Sequence, residues 1–117
     1  MDDTLRLYIL LRTDLDLSLG KAVAQGGHAV ECVLEQTAPE IRAAWIAGGR
    51  TKITLAPPNE AAWRRAVADA RAAGLPCAPI QDAGRTEIAA GTPTAIGGGP
   101  CHRTDLAGIL RHLRLLA

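Results

Sequence analysis

Phenylalanine is absent from this chain of 117 residues, and two Trp with one Tyr make up its whole aromatic share of 3%. The core is therefore aliphatic, and 22 alanines point to helices packed closely on their neighbours. Lysine is scarce too: Lys21 and Lys52 are the only two, and 13 Lys+Arg against 12 Asp+Glu leave a net charge of +1. That balance lacks the basic surplus that marks most nucleic-acid-binding domains. Cys32, Cys77 and Cys101 are odd in number, widely spaced and without a CxxC pair, which argues against a disulfide framework and a zinc site. No stretch approaches the roughly 20 uncharged apolar residues of a membrane span. The Met-Asp-Asp start is acidic where a secretory signal is basic. The expectation is a soluble, cytoplasmic single domain over residues 1–117, with no metal, no cofactor and no membrane contact.

What is present is a globular composition, 48% hydrophobic and 21% charged. Leu5 to Leu11 is a near-continuous apolar run, the pattern of a central strand covered on both faces. From Ser18 to about Gln36 the pattern turns helical, with Val23, Gly26, Gly27, Val30, Val33 and Leu34 on one side and Lys21, Gln25, His28 and Cys32 on the other. A short helix is expected over residues 39–47, stopped by Gly48-Gly49. Residues 51–55 form a strand, and Asn59 caps a helix running to about Ala73. Residues 76–80 and 94–96 read as a third and a short fourth strand, and Thr104 as the cap of a final helix carrying Leu106, Ile109, Leu110 and Leu113. Strands alternating with helices predict an α/β sandwich with helices on both sheet faces.

Ligand sites in such sheets gather at the carboxyl ends of strands. Three polar clusters fall there: Arg12 to Asp14 with Lys21, Asp82 to Thr86, and Thr92 to Gly99. Lys21 is the third residue of its helix, where a cation opposes the helix dipole by about 0.3–1 kcal/mol. Either it pairs with Asp14 or Asp16, or it faces a phosphate or a developing oxyanion. Asp82-Ala83-Gly84 makes an ordinary turn on its own. Gly97 to Gly99 before a helix could cradle a phosphate, yet it matches neither GxxxxGK[ST] nor GxGxxG. His28 and Cys32, four apart, offer a thiol–imidazole pair without a third orienting group.

Together, Arg12-Thr13-Asp14-Leu15, Gly20-Lys21-Ala22-Val23-Ala24-Gln25 with His28-Ala29, and Asp82-Ala83-Gly84-Arg85-Thr86-Glu87-Ile88-Ala89 through Gly91-Thr92-Pro93-Thr94 resemble the type-II peptidyl-tRNA hydrolases. Gly99-Pro100, Asp105 and the Leu-rich end continue the match, which runs from Leu5 to the C-terminus. The resemblance implies a three-layer α/β/α sandwich around a four-stranded mixed sheet, ordered 2-1-4-3 with the last strand antiparallel. It implies metal-independent hydrolysis of the ester joining a peptide to the 3′ end of tRNA, which recycles tRNA from aborted translation. Carried over position by position, Lys21, Asp82, Thr86 and Thr94 are the catalytic candidates. Arg12, Asp14, Gln25, His28 and Arg85 are the substrate-binding candidates. In that scheme Asp82 orients the water or takes its proton, Lys21 stabilises the oxyanion, and the threonines position water or ribose.

The chain departs from the family pattern at Gly26-Gly27 and at Glu87, and it is less basic than the family tends to be. Arg64, Arg65, Arg71, Arg103, Arg111 and Arg114 are candidates for a phosphate-tracking surface or, individually, for plain solvated faces. No aromatic cluster offers base stacking. A second reading is therefore a non-catalytic or repurposed member of the superfamily that binds an RNA end, a nucleotide or a protein. A third is a thiol enzyme using Cys32 and His28. An exposed apolar helix face on so small a domain also suits a homodimer.

Overall fold

Five strands and four helices follow one another in a computed structural model that describes residues 4–84, 89–110 and 112–116, apart from the side chains of 106–109. The apolar run forms β1 (Leu5–Leu11), with α1 (Leu19–Gln36), α2 (Pro39–Ala47), β2 (Lys52–Ala56), α3 (Glu60–Ala72) and β3 (Cys77–Gln81) after it. Then come β4 (Pro93–His102), α4 (Arg103–Leu110) and β5 (Arg114–Leu115). β1 pairs parallel with β2 and antiparallel with β4, and β4 pairs antiparallel with β3. The sheet is mixed and open, in the order β3-β4-β1-β2-β5. It has five strands and not the expected four in order 2-1-4-3, because the short β5 adds to the edge beyond β2.

Side-chain alternation along β1 explains the layers. Tyr8 and Leu10 face a cluster with Trp63, Ala66, Val67 and Ala70 of α3. Leu7 packs on the opposite face with Val33 of α1 and Trp45 of α2, and Leu11 with Ala29. Ser18 caps α1, its hydroxyl accepting the Lys21 N–H at 3.2 Å. Asn59 caps α3 in the same way, through Ala62 N–H at 2.8 Å. Trp63 Nε1 donates to the Ala95 carbonyl at 3.0 Å and ties α3 to β4.

Three expectations need correction. The inward face of α1 is Gln25, Gly26, Ala29 and Val33, while Gly27 is exposed and Val23 is 68% exposed. Hydropathy favours Val over Ala, but α1 lies so close to β4 that a Cβ at Gly97 would collide with the Ala29 carbonyl oxygen. For the same reason Gly97 to Gly99 is no phosphate loop: it lies inside β4, ten residues long and buried almost throughout. Thr104 does not cap α4 either. His102 N–H bonds the Asp105 carboxylate at 3.1 Å, which puts the cap at His102 and the start of the helix at Arg103, two residues earlier, and the stretch expected to be its end turns at Leu113 and becomes β5.

Candidate active site

β1, β2 and β3 all run the same way, so the residues after Leu11, Ala56 and Gln81 share one edge of the sheet with the start of β4. α1 begins over that edge, and its first turn delivers Lys21. The ammonium stands 2.5 Å from Asp82 Oδ1, the carboxylate being 1% exposed and the Lys21 side chain 12%. Lys21 therefore pairs with neither Asp14 nor Asp16, its neighbours in sequence, but with a residue brought from across the sheet.

Asp82 is held from all sides. Its Oδ2 accepts the Gly84 N–H at 2.6 Å. Its own N–H donates to the Thr92 carbonyl at 2.9 Å, and its carbonyl accepts from Gly91 N–H at 2.8 Å. Gly84 is required there: its φ is +78°, and a Cβ would lie 2.6 Å from that of Ala90. The Lys21 hydrogen bond, then the Gly84 amide, hold the Asp82 carboxyl below the usual aspartate range, against the upward push of burial.

Thr94 is fully buried and its hydroxyl donates to Gln25 Oε1, itself buried on α1 one turn past Lys21. Arg12 forms a two-pronged pair with Asp14, Nε to Oδ1 at 3.0 Å and Nη2 to Oδ2 at 2.6 Å. Its Nη1 donates to the Pro93 carbonyl at 3.0 Å and lies 3.6 Å from Glu60. Hydrogen bonding to Asp14 raises the Arg12 pKa and lowers that of Asp14. The guanidinium thus fastens the start of β4, next to Thr94.

Lys21, Asp82, Gln25 and Thr94 come together, and Arg12 with Asp14 forms a second cluster beside them. His28 stands exposed further along α1. Arg85 and Thr86, with Glu87, lie outside the described residues. Glu60 was not legible as a partner of Arg12, since it belongs to another element. Cys77 and Cys101 are buried, which raises both thiol pKa values, that of Cys101 to about 12. Among the described residues no group of three His, Cys, Asp or Glu could hold a metal ion, and no helix is long and apolar enough to cross a membrane.

A family model described as "Peptidyl-tRNA hydrolase PTH2" matches residues 5–116. The chain belongs to that family. A "Peptidyl-tRNA hydrolase" of Methanocaldococcus jannaschii is 36% identical over 115 residues, covering 96% of this chain and 100% of the relative. One from Pyrobaculum aerophilum is 42% identical over 100 residues, 81% of this chain and 83% of its own length. The human "Peptidyl-tRNA hydrolase 2, mitochondrial" is 34% identical over 113 residues, 94% of this chain but 63% of its own length. The match to this family thus spans nearly the full described fold.

Proposed function

We propose that this chain is a single peptidyl-tRNA hydrolase domain that cleaves the ester between a peptide, or an N-blocked amino acid, and the 3′ end of tRNA. Membership of the family supports the reaction. The convergence of Lys21 and Asp82 at 2.5 Å carries the assignment of the site. A water attacks the ester carbonyl, the tetrahedral oxyanion forms, and collapse releases the peptide acid and the ribose hydroxyl, which takes up the proton the water gave.

The geometry divides the work. An ammonium has three donors; Asp82 engages Lys21 through one oxygen and leaves it others for the oxyanion. A carboxyl held below its usual range is a weak proton acceptor, so Asp82 serves chiefly to fix Lys21 and orient the water, whose proton reaches the leaving ribose through solvent. Thr94 acts through Gln25: their hydrogen bond sets the rotation of α1, and with it the placement of Lys21. Thr86 stays a catalytic candidate and Arg85 a substrate-binding one by resemblance. Arg12 and Asp14 shape the rim, and His28 is an exposed contact for RNA. A cytoplasmic location and a homodimer belong to the same proposal, with exposed Leu19 and Val23 of α1 as the apolar pair a second copy would cover.

The test is release of free tRNA from N-acetyl-aminoacyl-tRNA with EDTA present. Wild type is expected to cleave, and Asp82→Asn and Lys21→Met to lose about 10²–10³-fold in kcat, the scale of a lost oxyanion partner. Wild-type turnover in folded Asp82→Asn would remove the site from this edge of the sheet.

A further inference from the structure

A second cavity opens on the same edge of the sheet, about 450 Å³ in volume, between the end of β2 and the chain around β5. Its walls include Thr13, Ala56, Pro58, His112, Arg114 and Leu115. Ala56 pairs with Arg114 in the β2–β5 register, which fixes the Arg114 backbone beside the end of β2, and Arg114 is among the residues lining the cavity. The chain between Arg12 and Thr13 links the two sites: Arg12 N–H donates to the Thr94 carbonyl at 3.0 Å and Thr13 N–H to the Pro57 carbonyl at 3.2 Å.

Among the described residues that line this cavity Arg114 carries the only formal charge, and none is acidic. The carboxylates nearest its walls in sequence, Asp14 beside Thr13 and Glu60 after Pro58, are held by Arg12 and Arg64. Arg64 and Arg65, by contrast with Arg114, are engaged in ion pairs along α3 with Glu60 and Asp69. Arg114 and His112 make no ion pair among the described residues.

We propose that this cavity receives the phosphodiester backbone of the 3′ single strand of tRNA, upstream of the esterified nucleotide. The inference rests on the hydrolase reading, and it adds a subsite to it. Asp82 follows β3, and β2 lies three strands away, so at a strand spacing of about 4.8 Å the cavity begins on the order of 14 Å from the carboxylate. That span exceeds the terminal nucleoside. A peptide carries no regular charge, whereas RNA presents a phosphate at each step. The Arg114 guanidinium fits a phosphate, a His112 ring N–H can donate to another, and Ala56, Pro58 and Leu115 fit the uncharged faces of the sugars. With no aromatic in the walls, the contact positions the strand without reading its bases.

The experiment uses full-length wild type, Arg114→Gln and Arg114→Glu, with Arg65→Glu as the control on α3. Binding of an RNA hairpin with a free, unacylated single-stranded 3′ overhang is followed by fluorescence anisotropy over a salt series. Turnover is measured on an N-acetyl-aminoacyl ester of that hairpin and of adenosine alone. Arg114→Glu is expected to weaken hairpin binding about tenfold and to make the salt slope shallower by about one, with KM raised on the hairpin ester and turnover of the adenosine ester unchanged. Arg114→Gln follows in the same direction with a smaller loss, and Arg65→Glu stays at wild type. Unchanged hairpin affinity in both Arg114 variants overturns the proposal. So does an equal loss on both esters, or a loss that tracks the length of the acyl chain. If wild type cleaves neither ester the hydrolase reading falls, while hairpin binding still decides whether the cavity holds RNA.

Discussion

An ammonium in the first turn of a helix works against the helix dipole, and in this chain Asp82 compensates it from across the sheet. The misplaced charge of Lys21 is visible in sequence. Its partner is not, because Asp14 and Asp16 are nearer along the chain and only strand pairing brings Asp82 under α1. The pair has a thermodynamic signature. The Asp82 carboxyl lies below the ordinary aspartate range in the folded protein, so its stabilisation is fully present above that range and is lost as pH falls through the lower folded value. Lys21→Met removes the main cause of the lowering. Melting temperature followed from neutral pH down through the aspartate range should therefore fall less steeply in Lys21→Met than in wild type, starting from a lower plateau. Parallel profiles would mean the pair contributes nothing to folding. Asp14, lowered by Arg12, gives both proteins the same remaining acid slope.

At the scale of elements, the contact between α1 and β4 governs the site, since α1 carries Lys21 and Gln25 and β4 carries Thr94. Glycine at position 97 lets the helix backbone approach to where Ala29 meets the strand. Gly97→Ala is expected to cost about 1–3 kcal/mol of stability, the usual scale of overpacking, and to lower kcat by displacing Lys21 from the substrate. Denaturant unfolding and turnover measured on the same samples check both. Wild-type activity with lost stability would separate the strand from the catalytic geometry. Most elements were legible: β1, both helix caps at Ser18 and Asn59, and the glycine stop after α2 follow from local chemistry. Apart from the Thr104 cap, displaced by the local His102–Asp105 bond, the misread parts depend on distant neighbours. Which side of α1 turns inward depends on how close β4 comes, a glycine triplet reads as a loop until its strand partners are known, and β5 is two residues long and exists through pairing with β2.

Over the whole molecule, a net charge of +1 leaves little general attraction for RNA, so individual cations with no acidic partner matter more than the total. Arg64 and Arg65 each face a carboxylate in exposed ion pairs on α3; Arg114 is not paired among the described residues. The i,i+4 spacing of Glu60 with Arg64 and of Arg65 with Asp69 makes the α3 pairs legible in sequence, whereas the place of Arg114 on β5 is not. In the proposed subsite Arg114 stands beside the end of β2, at the edge of the sheet that holds Lys21 and Asp82, which would put charge and chemistry on one side of the protein.

The two tryptophans lie in opposite layers, Trp45 against Leu7 beneath α2 and Trp63 beneath α3, with its indole N–H on the Ala95 carbonyl beside Thr94. Each buried indole is thus an intrinsic fluorophore for one face of the sheet. Trp45→Leu leaves an emission signal from the α3 layer, and Trp63→Leu one from the layer of α1 and α2. In urea the two spectra should shift at the same midpoint once each is scaled to its own variant's circular dichroism, as a single cooperative unit requires. A layer whose emission moves first would reveal a half of the fold that opens by itself. Trp63, one bond away from the strand that holds Thr94, would then also report optically on RNA arriving at the site.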